Sequence, residues 1–178
     1  MKGQAILADR DYTKKLSSVL KKSGMEIDGM IPNVLSERGL LLDKNEVKDN
    51  VMILDIGAGN TDIGVFEGDS FIFTDTIPLG GDTVTSDIAY VFNITDEEAD
   101  KLKKQYGLAM RSFIDNDTDI ILNTYRGDDR TRKIKSSELI EVIEARVEEI
   151  FSIINQRIVS EGIKANINNV ILTRTRYS

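Results

Sequence analysis

Cysteine and histidine are both absent from the 178 residues of this sequence. The absence of cysteine excludes disulfides, thiolate metal sites and a cysteine nucleophile, and it is consistent with the cytoplasmic location that we predict. The absence of histidine excludes the Ser-His-Asp triad and most zinc catalysis. What remains is the chemistry of carboxylates, hydroxyls, lysines and backbone amides, a set of groups that suits a hard cation such as Mg²⁺.

Basic residues are outnumbered, because the chain has 23 Lys and Arg against 30 Asp and Glu and a net charge of −7. An acidic chain lacks the basic surface that binds a phosphate backbone, so we do not expect nucleic acid as a partner. The same charge disfavours direct contact with an anionic membrane surface. No apolar run approaches the roughly 18 residues that a membrane-spanning helix needs, and the N-terminal residues do not resemble a signal peptide.

The order of hydrophobic patterns indicates an α/β fold in which helices cover a sheet. The clearest strand is the continuous apolar run 51–54, which is typical of a strand buried on both faces. Residues 51–77 are predicted to form a meander of strands joined by tight turns. Before the meander we predict strands at 4–8 and 25–31, a helix capped by Asp9 or Asp11 and ended by Gly24, and a short helix at 34–42. After it we predict helices that open at Gly80, cover 95–107, and run from a Ser136 cap to residue 160, an exposed charged loop at 127–133, and a final strand at 169–173.

Two glycines flank one small residue between the first two strands of the meander, in the segment DIGAGNTD at 55–62. In such a turn the backbone N–H groups can point into one space and bind an anion. Asp55 ends the buried strand, and a carboxylate beside a phosphate is a natural Mg²⁺ ligand. Thr61 adds a hydroxyl and Asp62 a second carboxylate. The alternative is a plain hairpin in which Gly59 and Asn60 supply positive φ angles, and the spacing by itself leaves both interpretations open.

Two further strings accompany this hairpin: PLGGDTVTSDIA at 78–89 and ADKLKKQYG at 99–107. Together with the hairpin they resemble the actin-like ATPase superfamily and, within it, the FtsA family of bacterial cell-division proteins, over about residues 4–173. The resemblance implies a ribonuclease H-like, actin-type lobe with a mixed five-stranded sheet, flanking helices and a small inserted α/β subdomain. We therefore expect a core at 1–95, an inserted subdomain with the long return helix at 96–162, and a final core strand with an atypical C-terminus at 163–178.

The resemblance also implies which residues face ATP, and it names no catalytic residue. Asp55 is expected near Mg²⁺, and Asp100 and Lys103 near the adenosine. The residues expected to face the phosphates are Gly57, Gly59, Asn60, Thr61 and Asp62. Gly80 and Gly81 are expected to let the third strand turn tightly into its helix, and they complete the set of candidate cofactor-binding residues.

The departures from the family pattern predict a fragment or truncated form that contains only the second of two actin-like lobes. The final strand runs into Arg174-Thr175-Arg176 where the family has a glycine-rich turn that packs on adenine. The first lobe and the C-terminal amphipathic helix that binds membrane in the family are not expected here. Such a chain would carry half an ATP site, and ATPase activity is not expected of it alone.

The expected partner is the C-terminal peptide of the tubulin-like division protein FtsZ, bound by the outer subdomain, together with the missing first lobe or a second copy of the chain. Three other interpretations stay open. The chain could be an ATP-binding enzyme that acts as a homo-oligomer or with a separate first-lobe chain. It could be an actin-like protein of another assembly, PilM-like or similar to a chaperone-like reactivating factor. It could also be a non-functional remnant with an adhesive, uncovered interface.

Overall fold

The computed structural model describes residues 9–41, 50–122, 132–164 and 167–174. Its first half contains the helices α1 (Arg10–Lys22) and α2 (Asn33–Leu41), the strands β1 (Asn50–Ile56), β2 (Thr61–Glu67) and β3 (Ser70–Ile77), and the helix α3 (Gly81–Phe92). Its second half contains α4 (Asp96–Tyr106), a 3-10 turn (Arg111–Phe113), β4 (Asp119–Leu122), β5 (Arg132–Lys135), α5 (Ser136–Ser160) and β6 (Asn169–Thr173).

The main sheet has the strand order β3-β2-β1-β6 within the described residues. β1, β2 and β3 are antiparallel neighbours, so the predicted meander is confirmed, and β6 returns parallel to β1. The apolar run of β1 is buried on both faces, as its composition predicts. The strand predicted at 4–8 lies outside the described residues.

Helices cover both faces of this sheet. The C-terminal half of α5 packs Ile150, Ile154 and Ile158 on one face, against a cluster that includes Leu54 and Ile63. On the other face, α2 lies close to the sheet because Gly64 has no side chain: a Cβ there would be 2.9 Å from Val34. The order of layers is therefore α2, sheet, α5.

A second apolar cluster lies outside the sheet, between α3, α4, the N-terminal half of α5 and the two-stranded sheet β4-β5. It includes Ile88, Leu102 and Leu139, all buried. The helices predicted after the meander are thus confirmed, and α5 belongs to both clusters. The outer cluster takes in α3 as well as residues after 95, while the domain boundaries of the sequence analysis stay predictions.

The strand predicted at 25–31 is wrong, because this segment has no regular structure and exposes Met25, Met30 and Ile31. β-Propensity needs a neighbouring strand and a face to bury, and the described residues offer this segment neither. The preceding helix is as predicted: Asp9 caps it through the N–H of Tyr12, at 2.7 Å, and Gly24 follows it at φ +78°. Its apolar residues Leu16 and Val19 nevertheless lie on the surface.

Two smaller predictions also need correction. The loop predicted at 127–133 ends before Arg132, where β5 begins and Ile134 faces the core; residues 127–131 lie outside the described part. The predicted cap of α5 shifts by one residue, since Ser136 is its first helical residue and Lys135 holds the cap position. Across the described ranges, no helix is long and apolar enough to span a membrane.

Candidate functional site

Four polar side chains form a row across one end of the main sheet. Asp55 of β1 pairs in register with Asp62 of β2 and with Thr173 of β6, and Asp62 pairs with Thr76 of β3. Residues directly opposite one another point to the same face of a sheet, which here is the face that α2 covers. The Thr76 hydroxyl donates to Asp62 at 2.7 Å, and Asp55 is only 5% exposed. The row lies at the carboxyl ends of the parallel strands β1 and β6, where open α/β sheets bind ligands.

Glu37 of α2 contacts this row from above. The Thr173 hydroxyl donates to Glu37 Oε2 at 3.0 Å, and the Glu37 carboxyl lies beside that of Asp55. Burial raises the pKa of Glu37; the hydrogen bond from Thr173 acts in the opposite direction, and the neighbouring Asp55 and Asp62 raise the pKa further. No pattern in the sequence points to Glu37, because only the packing of α2 on β1 brings it to the row.

The hairpin between β1 and β2 is not the turn of the alternative interpretation, in which Gly59 and Asn60 have positive φ angles. The Gly57 N–H donates to the Asn60 carbonyl at 2.9 Å, but neither Gly59 nor Asn60 has a positive φ angle, which a type I′ turn requires at both central positions. Ala58, Gly59 and Asn60 form an exposed tip. Inside the described ranges, the N–H groups of these three residues donate no hydrogen bond to the chain. A tip with free N–H groups can accept an anion.

The base of the hairpin is fixed to the start of α3. The N–H groups of Gly81 and Asp82 donate to the carbonyls of Gly57 and Ala58 at 3.0 and 2.8 Å. A Cβ on Gly80 would lie 2.5 and 2.6 Å from the carbonyl oxygens of Ala58 and Gly57, closer than any side chain allows. A Cβ on Gly81 would meet its nearest atoms at 3.7 Å, an ordinary contact. Gly80 is therefore needed for the close approach of the hairpin, whereas Gly81 has room.

The predicted phosphate-facing residues differ in their access to solvent: some are accessible, and one is fully buried. Gly59 and Asn60 lie on the exposed tip, and Asp62 is half-buried beside Thr76. Thr61 is 0% exposed, and its hydroxyl donates to the Leu79 carbonyl at 2.8 Å. Thr61 therefore ties β2 to the segment that leads into α3, and its predicted contact with phosphate stays a prediction.

Lys103 of α4 is brought to the first turn of α3. Its ammonium donates to the Gly81 carbonyl at 2.8 Å and to the Thr85 hydroxyl at 2.5 Å, and it lies 3.3 Å from Asp100. Asp100 is also paired with Lys104 at 2.5 Å, and this hydrogen bond lowers the pKa of Asp100 against the opposing effect of its partial burial. Lys103 thus lies close to the base of the hairpin, with its three N–H groups directed at the protein.

The donor chemistry at this end of the sheet fits a Mg²⁺–nucleotide. Carboxylate and hydroxyl oxygens are the ligands that Mg²⁺ takes from proteins, and Asp55, Asp62 and Thr76 offer them beside the exposed hairpin tip. Among the residues that the structure describes, no three acidic side chains are arranged as a ready-made metal site. One or two carboxylates together with substrate phosphates are the usual ligand set for Mg²⁺.

A groove of about 550 Å³ lies between α3 and α5, away from the hairpin. Its lining combines apolar side chains with a rim of four acidic residues and one arginine. The apolar residues are Tyr90, Val91, Phe92, Val142 and Ala145, and the charged ones are Asp87, Glu138, Glu141, Glu149 and Arg146. Tyr90 is 88% exposed. Arg146 holds the two helices together, since it donates to both oxygens of Asp87, at 2.6 and 3.0 Å, and also pairs with Glu149. The Asp87 hydrogen bond raises the pKa of Arg146, so this side chain remains charged.

Solved structures share this arrangement of sheet and helices. MreB 5 of Spiroplasma citri bound to AMPPNP matches 93% of this chain and 54% of its own, with a TM-score of 0.72 and 19% identity. A PilM-PilN type IV pilus biogenesis complex matches 93% of this chain and 41% of its own, with a TM-score of 0.65 and 16% identity. The chain therefore has an actin-like ATPase fold, and the predicted fold class is confirmed.

Sequence comparisons identify the family. The family model for the cell division protein FtsA matches residues 52–174. The FtsA of Bacillus subtilis is 32% identical over 97% of this chain, and that of Escherichia coli K12 is 31% identical over 86%. The chain belongs to the FtsA family, as the hairpin and the two accompanying strings predict. It spans 39% and 36% of the lengths of these two relatives.

Proposed function

We propose that this chain is the second actin-like lobe of an FtsA-like cell-division protein and that it binds the C-terminal peptide of FtsZ in the groove between α3 and α5. The groove carries the proposal. It combines an apolar floor with an acidic rim, and it is bounded by two helices that Arg146 and Asp87 hold together. Apolar grooves are one of the recurring sites at which proteins bind peptides. The acidic rim favours a peptide that has a basic side chain beside its apolar ones.

Tyr90 is the side chain whose loss tests this site. It is exposed, so its replacement leaves the core intact, and exposed aromatic side chains are frequent binding hot spots. In a fluorescence anisotropy titration with a labelled FtsZ C-terminal peptide, Tyr90→Ala should weaken binding at least about tenfold.

The matched control is Tyr12→Ala, which removes an exposed tyrosine of α1, far along the chain from the groove. Equal affinity of wild type and Tyr90→Ala, or the same loss in both variants, would place the peptide elsewhere. No binding by the folded wild type would exclude FtsZ as the partner of this chain.

The second part of the proposal is half of an ATP site at the hairpin. It is supported by the free N–H groups of the tip and by the carboxylates of Asp55 and Asp62 beside it. It is also supported by an actin-like structure, MreB5 of Spiroplasma citri, that was solved with ADP. Phosphoryl transfer needs charge neutralisation on both sides of the phosphate, so we expect binding without hydrolysis from this chain alone.

Calorimetric titration with Mg²⁺·ATP tests the half-site. Gly59→Ala is the sharpest variant, because a Cβ there meets no protein atom within 4 Å yet stands where a phosphate approaches the tip. Micromolar binding that is lost in Gly59→Ala and in Asp55→Asn is the expected result. Gly29→Ala is the matched control, since its Cβ is equally unhindered. No heat up to millimolar ATP, a limit of about −4 kcal/mol, would overturn this part.

The third part concerns the first lobe or a second copy of the chain. The segment before β1 exposes Val19, Ile31 and Leu40, and its only buried side chain within the described range 9–41 is Val34. Exposed apolar side chains on a segment that buries little of itself favour contact with another protein surface. We expect this segment to pack on another protein body, at the cytoplasmic location predicted for the chain. A clean monomer in size-exclusion chromatography at high concentration would exclude self-association.

A further inference from the structure

We propose that Glu37 inhibits nucleotide binding at the hairpin end of the main sheet. Its carboxyl group covers Asp55 and must be displaced before Asp55 can accept the Mg²⁺ of a bound nucleotide. This inference rests on the proposed half-site. It adds a residue that weakens nucleotide binding at the half-site, whereas all the residues expected from the sequence favour that binding.

The position of Glu37 on α2 is the first observation. Val34, one turn earlier, packs against Gly64 at the sheet surface, and residues three apart lie on the same side of a helix. Glu37 is therefore carried by the face of α2 that meets the sheet. Burial of a carboxylate in such an interface is unfavourable unless it is hydrogen-bonded, and Glu37 finds its partners in the polar row.

The second observation is the hydrogen bond that holds Glu37 at the end of the sheet. Thr173 of β6 donates to it at 3.0 Å, and Asp55 of the adjacent strand β1 lies beside it. Thr173 and Asp55 are paired residues of the parallel ladder. The carboxyl group of Glu37 thus lies over the pair, at the place from which a cation would approach Asp55.

The third observation is charge. Glu37, Asp55 and Asp62 bring three carboxylates to one end of the sheet, and within the described ranges no ion pair joins Glu37 or Asp62 to a basic side chain. A nucleotide brings several further negative charges to the same end. Like charges at short range oppose one another strongly in a partly buried site, so Glu37 weakens nucleotide binding both by its contact and by its charge.

Three variants separate these two effects in a calorimetric titration of the full chain with Mg²⁺·ATP. Glu37→Ala removes contact and charge, and it should tighten binding by about tenfold. Glu37→Gln removes the charge but keeps an amide that can still bond Asp55, so its gain should be smaller. Thr173→Val removes only the hydroxyl that holds Glu37, and it should give a gain in the same direction. Glu148→Ala, an exposed glutamate of α5 on the opposite side of the sheet, is the charge-matched control and should leave the affinity unchanged.

The outcomes distinguish this inference from the half-site itself. Binding by the wild type that is lost in Gly59→Ala but is equal or weaker in Glu37→Ala would overturn the inference and leave the half-site standing. No binding by any variant, Glu37→Ala included, would overturn both. Thermal unfolding of each variant shows whether it is folded. If Glu37→Ala does not fold, the nearly isosteric Glu37→Gln takes its place, and an affinity equal to or weaker than that of the wild type would again overturn the inference.

Discussion

The sheet half of this chain, which is the main sheet with α2 and the C-terminal half of α5, differs from the outer half in where apolar side chains are exposed. The outer half consists of α3, α4, the β4-β5 sheet and the N-terminal half of α5. In the sheet half, β6 exposes Val170 and Leu172, at 51% and 59%, and it is the outermost strand of the sheet within the described residues. In the outer half, α3 is held by Lys103 on one side and Arg146 on the other, and Tyr90 and Val91 are exposed where they line a groove. These exposed apolar residues therefore line a groove between two helices in the outer half, whereas in the sheet half they lie along one strand of the sheet.

The two halves can be compared as parts of one domain only if they fold as one unit. Core substitutions in α5 test this, and they have the largest expected effect on stability. Leu139→Ala acts on the outer cluster and Ile154→Ala on the sheet cluster. Each should lower the free energy of unfolding by about 3–4 kcal/mol, through lost burial and a cavity. Because α5 crosses both clusters, urea unfolding followed by far-UV circular dichroism should show one transition for each variant. Two separate transitions would mean that the halves are independent domains.

The junction between the halves is the base of the hairpin, where Gly80 and Gly81 form a matched pair. Gly80→Ala forces a Cβ into two carbonyl oxygens, and it should cost about 2–3 kcal/mol as an overpacked site does. Gly81→Ala has room and should be neutral or slightly stabilising, since alanine favours a helix over glycine. Urea unfolding measures both. Equal effects of the two substitutions would show that the hairpin does not approach α3 as closely as described.

Lys103 was expected at the adenosine, but in the structure its ammonium group contacts other residues of the outer half. Its replacement therefore distinguishes a structural role from a nucleotide-binding role. Lys103→Met keeps the aliphatic stem and removes the three polar contacts, so it should cost about 1–2 kcal/mol of stability without any nucleotide present. Lys101→Met, on the exposed face of α4 in an i,i+4 pair with Glu97, should leave the stability nearly unchanged, because solvent screens an exposed ion pair. A Lys103→Met protein as stable as wild type would favour the nucleotide role over the structural one.

The smallest effect is a pH dependence at the start of α5. Asp117 accepts hydrogen bonds from the Ser137 N–H and from the hydroxyls of Ser136 and Ser137, and the bond from the Ser137 N–H lowers the pKa of Asp117. The ionised form is therefore favoured by folding. Its stabilisation is fully present above the ordinary pKa of an aspartate and is lost as the pH falls through the lowered one.

Asp117→Ala should lower the urea midpoint at pH 7, and its difference from wild type should shrink as the pH falls below the ordinary aspartate range. Asp115→Ala, an exposed neighbour in the same turn, should leave the midpoint unchanged at either pH. A difference between Asp117→Ala and wild type that persists in acid would mean that the side chain acts through packing and not through its charge.

The elements with strong periodicity were predicted well from the sequence. The run 51–54 is apolar at every position, and the apolar residues of α5 recur at helical spacing, so each pattern is compatible with one kind of structure. The segment 25–31 has the composition of a strand but finds no strand to pair with in the part of the chain that the structure describes. Arg132 and Lys133 have the composition of a loop but pair with β4. In both cases the environment outweighed the local preference.

The N-terminus of α5 also shows that residues distant in sequence can outweigh a local preference. Ser136 is a favoured residue for a helix N-cap, and it was predicted as one, yet Asp117 reaches the start of α5 from nineteen residues earlier in the chain. A pattern read along the chain cannot weigh an acceptor that folding delivers from elsewhere. The position of the helix was therefore predicted to within one residue, and the group that caps it was not.

The sequence by itself determined the α/β order, the FtsA family and the hairpin with its glycines, because these depend on residues close together in the chain. Only the tertiary structure decided which glycine is needed for close approach, that the Thr61 hydroxyl is turned inward, and that Lys103 binds α3. It also decided that Glu37 meets Asp55, since α2 and β6 must both lie at the end of β1 before these side chains can touch. Each of these contacts joins residues distant in sequence, and their geometry exists only once the layers have packed.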